Sequence, residues 1–298
     1  MIYAVRHLTK IAYTNPVARA RFNLRLAPWL DWGPSPNQKL TGHSLRVTPE
    51  PAVQDYLRGP YCVNTARIGF EQPLASLEVH SEFTVEVTPG PEPREGPSAQ
   101  QVAADALLRR DLSVLAPAPY LFGSRIAVMD EQIGAWAAHY LDASAGIVQV
   151  ASALMTAIYD EFTYSKGATN TSTPPAEAFA LRKGVCQDFA HIMIMALRSH
   201  GIPAGYASGY LRTVPPPGAK RLVGADAMHA WANVWCGEEL GWIGFDPTNN
   251  RLARENHIQI AMGRDYADVA PIDGIFIGST PQKMNTSVDV QQLESAAI

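Results

Sequence analysis

Three residues far apart in the chain, Cys186, His229 and Asp246, are of the types that make a nucleophile, a general base and the acid that orients it. Cys186 follows Arg182-Lys183-Gly184-Val185 and opens a stretch in which Val185, Phe189, Ile192, Met193, Ala196 and Leu197 form one apolar stripe at helical spacing. A helix N-terminus offers unpaired backbone N–H groups and a partial positive charge. Both favour a thiolate, and the same N–H groups can hold the oxyanion formed when a carbonyl is attacked. Gly184 would let a substrate approach the backbone closely. A buried structural thiol is the ordinary alternative for any single cysteine.

His229 falls in an alternating segment where His229, Trp231, Asn233 and Trp235 share one face, and six residues, Cys236 to Gly241, join it to Trp242–Asp246. A hairpin with an even-numbered turn puts Asp246 on the face of His229, opposite it or one step diagonal. Such neighbours are about 5–8 Å apart, within reach of a carboxylate–imidazole hydrogen bond. Pro247 ends the strand, so Asp246 stands at a terminus facing a loop. Taken singly, His229 reads as a core histidine and Asp246 as the start of an Asp-Pro turn. The three together are harder to reach by chance.

Other residues are candidates for supporting roles. Tyr164 precedes the Cys186 helix and could offer a hydroxyl to the oxyanion, although anchoring a helix is the commoner use of a half-buried tyrosine. Gln187 and Asp188 occupy the first helical turn, where capping is the default role for Asp188. Trp231 and Trp242 could wall a substrate groove, though tryptophans are more often core. His191 is expected to pack. Asp188 and His191 share a helix face but lack a third metal ligand at sensible spacing. Asp265 and Asp268 beside Arg264 read as a structured surface loop, and Cys62 and Cys236 as structural thiols.

Positioning these groups requires a helix, a hairpin and a support for both. Helical spacing also marks Ile133 to Leu141 and Val150 to Phe162, and Gly201 with Pro203 stops the Cys186 helix. Strand patterns return at Ala204 to Arg212, Met228 to Trp235 and Trp242 to Asp246, with a Pro215-Pro216-Pro217-Gly218 loop between the first two. Helices followed by antiparallel strands indicate an α+β domain over residues 101–298. Residues 1–90 read as β-structure. From Leu77 to Val87 the odd positions are apolar, except Ser81, and the even positions are polar, the period of a strand with one buried face. Shorter copies at Phe22 to Leu26 and Leu45 to Val47, divided by prolines, suggest a sandwich or barrel. Pro/Gly-rich residues 91–100 read as a linker.

The 298 residues carry 24 Lys and Arg against 28 Asp and Glu, a formal net charge of −4, which argues against a partner held by nucleic-acid phosphates. The 47% of hydrophobic residues suffices for packed cores. Three cysteines without a C-x-x-C are too few for a disulfide scaffold or a zinc cage. The N-terminus lacks a signal-peptide pattern. The longest apolar run, Ile192 to Leu197, is far short of the ~20 residues that cross a bilayer. No membrane partner and a reducing cytoplasm are expected. There is no P-loop, no H-E-x-x-H, and no nucleophile elbow, since Gly42-His43-Ser44-Leu45-Arg46 lacks the final glycine.

Five motifs in order, Gly184-Val185-Cys186-Gln187-Asp188-Phe189-Ala190-His191, Gly201-Ile202-Pro203-Ala204, Ser208-Gly209-Tyr210, His229-Ala230-Trp231 and Gly241 to Asn249, resemble the transglutaminase-like superfamily. Residues Tyr3 to Val87 resemble the N-terminal domain of its bacterial branch, and Gly263 to Pro271 that branch's C-terminal portion. The resemblance implies a papain-like α+β core with a Cys186-His229-Asp246 triad, preceded by an all-β, sandwich-like domain. It implies acyl transfer or hydrolysis at an amide of a peptide or protein, through a thioester, without metal or organic cofactor. Tyr164, Gln187 and Trp231 are the oxyanion or substrate candidates. The same family includes cross-linkers, peptidases, deglycosylating amidases and silent relatives, so a non-catalytic interaction module is the alternative. Acyl acceptor and oligomeric state stay open.

Overall fold

The computed structural model describes residues 1–29, 37–90, 92–212 and 227–293; the Pro215–Gly218 loop lies outside them. Among the described residues, strands come first: β1 (Ile2–Val17), β2 (Arg19–Leu24), β3 (Asn37–Thr48), β4 (Val53–Arg58), β5 (Asn64–Phe70) and β6 (Leu74–Thr88). There follow α1 (Ala99–Leu108), α2 (Glu131–Ala137), α3 (Ile147–Glu161), β7 (Thr163–Tyr164), α4 (Pro175–Leu181), β8 (Lys183–Gly184) and α5 (Cys186–Ser199). The chain then forms β9 (Ala204–Leu211), β10 (Ala227–Trp235), β11 (Trp242–Asp246), β12 (Arg251–Leu252), β13 (His257–Gly263), α6 (Tyr266–Val269), β14 (Ile272–Ile277) and β15 (Gln282–Leu293).

Two four-stranded antiparallel sheets, in the orders β15-β1-β6-β3 and β14-β2-β5-β4, make the expected sandwich. The alternation in β6 buries Leu77, Val79, Phe83, Val85 and Val87 as its period demands. The pairing corrects the expected 101–298 span at its end: β14 pairs with β2 and β15 with β1. The chain thus returns to cover strand edges that would otherwise present unpaired backbone groups.

The other layer is a five-stranded sheet, β12-β11-β10-β9-β13, packed by helices. Helix α5 is its axis. It shows more than a stripe, being buried from Asp188 to Arg198 because α2, α3 and α4 lie on one side and β9 and β10 on the other. Arg198 is buried with it and donates to the carbonyls of Ala204, Phe122 and Arg264. Gly201 stops the helix at φ +74°: its N–H bonds Arg198 O and the N–H of Ile202 bonds Leu197 O. Helix α2 ends at Ala137, earlier than its apolar spacing suggests. Sandwich and core are tied through β13, where the buried Gln38 amide donates to Gln259 O and accepts from Gln259 N, at 2.8 and 2.7 Å.

Candidate active site

Cys186 is the first residue of α5 and is half-buried, whereas Cys62 and Cys236 are fully buried. The short parallel pair β7–β8 delivers the chain to this point, with Tyr164 opposite Gly184. Asp188 caps the helix. Its Oδ2 accepts from the N–H of Val185 at 2.8 Å and from the Thr169 hydroxyl at 2.6 Å. A Cβ on Gly184 would lie 2.6 Å from that same oxygen. The close approach that demands glycine here is therefore made by Asp188, rather than by a substrate.

The first helical bonds run from Asp188 and Phe189 N–H to Val185 O. The N–H groups of Cys186 and Gln187 precede them, at the positive end of the helix.

The hairpin β10–β11 turns through Gly237 (φ +95°) and Gly241 (φ +63°) and pairs Ala232 with Phe245. One step further in that register Asp246 faces Trp231, which leaves His229 on the diagonal. The side chains close the gap: His229 Nε2 lies 2.8 Å from Asp246 Oδ2. With Nε2 on the carboxylate, Nδ1 is the ring nitrogen left for the thiol. Burial pulls the His229 pKa down, but its hydrogen bonds to Asp246 and Cys186, with the charges of both, outweigh burial and raise it to about 10.

Asp246 is fully buried. Its Oδ1 accepts from the N–H groups of Thr248 and Asn249, and its Oδ2 from Asn249 Nδ2 at 2.7 Å and His257 Nε2 at 3.0 Å as well as from His229. Burial alone would raise its pKa; the donors, His229 and His257 foremost, hold it well below the usual carboxylate range. His257 was not among the residues singled out from the sequence. Its Nδ1 accepts the N–H of Arg254, which leaves Nε2 to donate to Asp246, and burial lowers its pKa and keeps the ring neutral.

His229, Asp246 and His257 are of metal-ligating types, with ligand atoms within 4.8 Å of one another. Both imidazole nitrogens instead meet one carboxylate oxygen at hydrogen-bond distance, and Asn249 adds a third donor to it. The groups satisfy one another and leave no converging vacancy for an ion.

The supporting candidates separate. Gln187 lines a cavity of about 400 Å³ together with Cys186 and His229. Tyr164 is half-exposed with its ring edge on Phe189. Burial and the nearby Cys186 raise its pKa. Trp231 is corrected: it is fully buried, donates to Asn233 Oδ1 at 3.1 Å, and packs against the His229 and His257 rings. It backs the site rather than walling a groove, because its indole lies over Gly209 of β9 and Gly244 of β11, where an added Cβ would meet it at 2.6 and 3.0 Å. Trp242 is likewise core, donating to Leu115 O at 2.7 Å. His191 packs as expected, stacked on Tyr206. Asp265 is not a surface residue: it is buried and accepts from the N–H groups of Ile126 and Ala267. Asp268 pairs with Arg264 at 3.0 Å.

Comparisons with known proteins match both regions of the chain. The bacterial transglutaminase-like N-terminal region matches residues 3–86, and the transglutaminase-like superfamily core matches residues 134–247. An uncharacterized protein of Mycobacterium tuberculosis is 34% identical over 304 residues, covering 99% of this chain and 94% of its own. One of Mycobacterium leprae is 32% identical, covering 97% of this chain and 98% of its own. A protein-glutamine gamma-glutamyltransferase of Pseudomonas aeruginosa is 34% identical over 104 residues, 32% of this chain and 15% of its own. The crystal structure of a candidate cysteine protease from Cytophaga hutchinsonii shares the fold with a TM-score of 0.73, at 21% identity, over 100% of this chain and 93% of that one. With both regions matched in order and relatives aligned end to end, the chain belongs to the transglutaminase-like superfamily, a family of papain-like thiol enzymes.

Proposed function

We propose that the protein catalyses acyl transfer at an amide bond of a peptide or protein, with Cys186 as nucleophile, His229 as general base and acid, and Asp246 as the orienting carboxylate. The observation that carries this reading is the 2.8 Å bond from His229 Nε2 to a buried, five-donor Asp246, with His229 and Cys186 lining one cavity. His229 takes the thiol proton, and the Cys186 sulfur forms a bond to the amide carbon. The negative charge that develops on the carbonyl oxygen is met by N–H groups at the start of α5. His229 then gives its proton to the leaving amine as the C–N bond breaks, leaving a thioester. Water or a primary amine attacks the thioester, His229 accepts the proton of that nucleophile, and the thiolate departs. Asp246 stays ionised throughout and stabilises the imidazolium.

Either acceptor uses the same three residues, so this reading covers amidase, peptidase and cross-linking outcomes. No cofactor enters any step, and a reducing compartment such as the cytoplasm suits chemistry through a free thiol. A mass-spectrometric screen of glutamine-bearing peptides, with and without a primary amine, tests the reading. A covalent acyl-enzyme in the wild type that is lost in Cys186→Ala is expected. No acyl-enzyme and no product with any peptide would overturn it in favour of a non-catalytic module.

A further inference from the structure

The inner face of the β15-β1-β6-β3 sheet changes partner along its length. Tyr3 and Val5 on β1, Phe83 and Val85 on β6, and Val288 on β15 belong to the core cluster of α5 and β9. Ile11, Tyr13, Leu77 and Val79 belong instead to the core between the two sandwich sheets.

Between the two the face turns polar. His7 stands opposite Ser81, the one break in the β6 alternation, and Thr9 stands opposite Thr286. Packing alone would fill this strip with apolar side chains, because a buried polar group gains nothing unless it is hydrogen-bonded. The strip is bonded throughout: His7 Nδ1 meets Tyr210 Oη at 2.9 Å, His7 Nε2 meets Thr9 Oγ1 at 2.8 Å, and Thr9 Oγ1 meets Thr286 Oγ1 at 3.2 Å.

This polar strip lies over the Cys186 cavity. His7, Thr9 and Thr286 line it from the sandwich, and Tyr206 and Ser208 line it from β9. Among the described residues no Asp, Glu, Lys or Arg lines it. Burial keeps the His7 ring neutral above about pH 4. Beyond the Cys186–His229 pair, whose charges are matched by each other and by Asp246, the walls thus offer hydroxyls on two sides and no counter-charge for an ionised flanking group, whose desolvation would go uncompensated.

We propose that strands β1 and β15 of the sandwich form the substrate wall of the Cys186 site, and that this wall selects an uncharged, hydrogen-bonding peptide segment beside the reacting carbonyl. The proposal deepens, and rests on, the assignment of Cys186 as nucleophile. It also gives the sandwich a part in substrate selection.

Met284 lies at the cavity rim on β15 and is 58% exposed, so a charge there leaves the fold intact. The test measures alkylation of Cys186 in the full chain by iodoacetate and by iodoacetamide, in wild type, Met284→Lys and Met284→Glu. The iodoacetate-to-iodoacetamide rate ratio should rise about threefold to tenfold in the lysine variant and fall by a similar factor in the glutamate variant. A ratio unchanged in both folded variants would overturn the wall assignment. A second arm compares glutamine peptides flanked by Ser or Ala with peptides flanked by Glu or Lys. A preference for the neutral flanks of about tenfold or more in kcat/KM is expected, and equal or better turnover of the charged peptides would overturn the selectivity. Alkylation needs no acyl transfer, so charge-sensitive alkylation without acyl-enzyme formation would mark failure of the catalytic reading alone.

Discussion

His257 Nε2 lies 3.0 Å from Asp246 Oδ2, the same oxygen that His229 Nε2 meets at 2.8 Å. Two imidazoles therefore share one carboxylate oxygen, and their pKa values are shifted in opposite directions. Asp246 foremost raises the pKa of His229 against burial, while burial lowers that of His257. A neutral donor on Asp246 steadies the carboxylate and spreads its charge, so less of its field acts on His229. His257 is in this sense a positioning residue that tunes the base through its partner. The other charge acting on its ring is that of Arg251.

Removing that donor should strengthen the hold of Asp246 on the His229 cation. In His257→Phe the His229 titration midpoint, followed by NMR, is expected to move upward by about half a unit to one unit. His257→Gln keeps an N–H donor in reach and should restore most of the wild-type value. An unmoved midpoint in a folded His257→Phe protein would show that the ring only fills space.

Asp246→Asn tests the orienting role directly. The amide can still accept a hydrogen bond, yet it carries no charge to match the His229 cation and disfavours the required tautomer. Turnover should fall by about 10³–10⁴-fold, the scale for neutralising the carboxylate of such a triad. Circular dichroism should show the fold retained. A loss of only a few-fold would mean that another group orients His229.

Local periodicity made much of this arrangement readable. The two-residue alternation of β6, the apolar face of α5 with its Gly201 stop, and the even hairpin joining His229 to Asp246 all follow from short-range rules. What escaped the sequence depends on long-range pairing. His257 reaches Asp246 only because β13 adds to β9 in one register. Asp265 reads as a surface acid until its carboxylate meets the N–H of Ile126, 139 residues earlier. The return of β14 and β15 to the first two strands likewise joins opposite ends of the chain, and no local pattern announces it. Ser81 was visible as an exception, but its meaning came only with the strip it joins.

Gly184 can be tested through the thiol it helps to place. In the wild type, iodoacetamide at neutral pH should label Cys186 well before the buried Cys62 and Cys236. In Gly184→Ala the new methyl lies 2.6 Å from Asp188 Oδ2, so the carboxylate that caps α5 must shift and the helix start must move with it. Destabilisation of about 1–3 kcal/mol in urea unfolding is expected, with slower labelling of Cys186. Wild-type labelling kinetics in the variant would show that the cap and the thiol are independent.

Stability should decline on both sides of near-neutral pH, for separable reasons. His7 and His191 are buried, and burial lowers each pKa from 6.5 to about 4. Between these values the unfolded chain binds protons that the folded protein does not, so stability falls as pH drops from 6.5 toward 4. Each residue contributes on the order of 3 kcal/mol to that fall. His229 works in the opposite sense. Its folded pKa, raised to about 10, makes its stabilisation complete below 6.5 and lost as pH climbs from 6.5 to about 10. Urea unfolding at pH 4.5, 6.5 and 9.5 should give a maximum at the middle value. His7→Gln should flatten the acid limb alone, and His229→Gln the alkaline limb alone. An acid limb of unchanged slope in His7→Gln would mean that His7 is protonated in the folded protein, which the bonds from both its ring nitrogens to Tyr210 and Thr9 argue against.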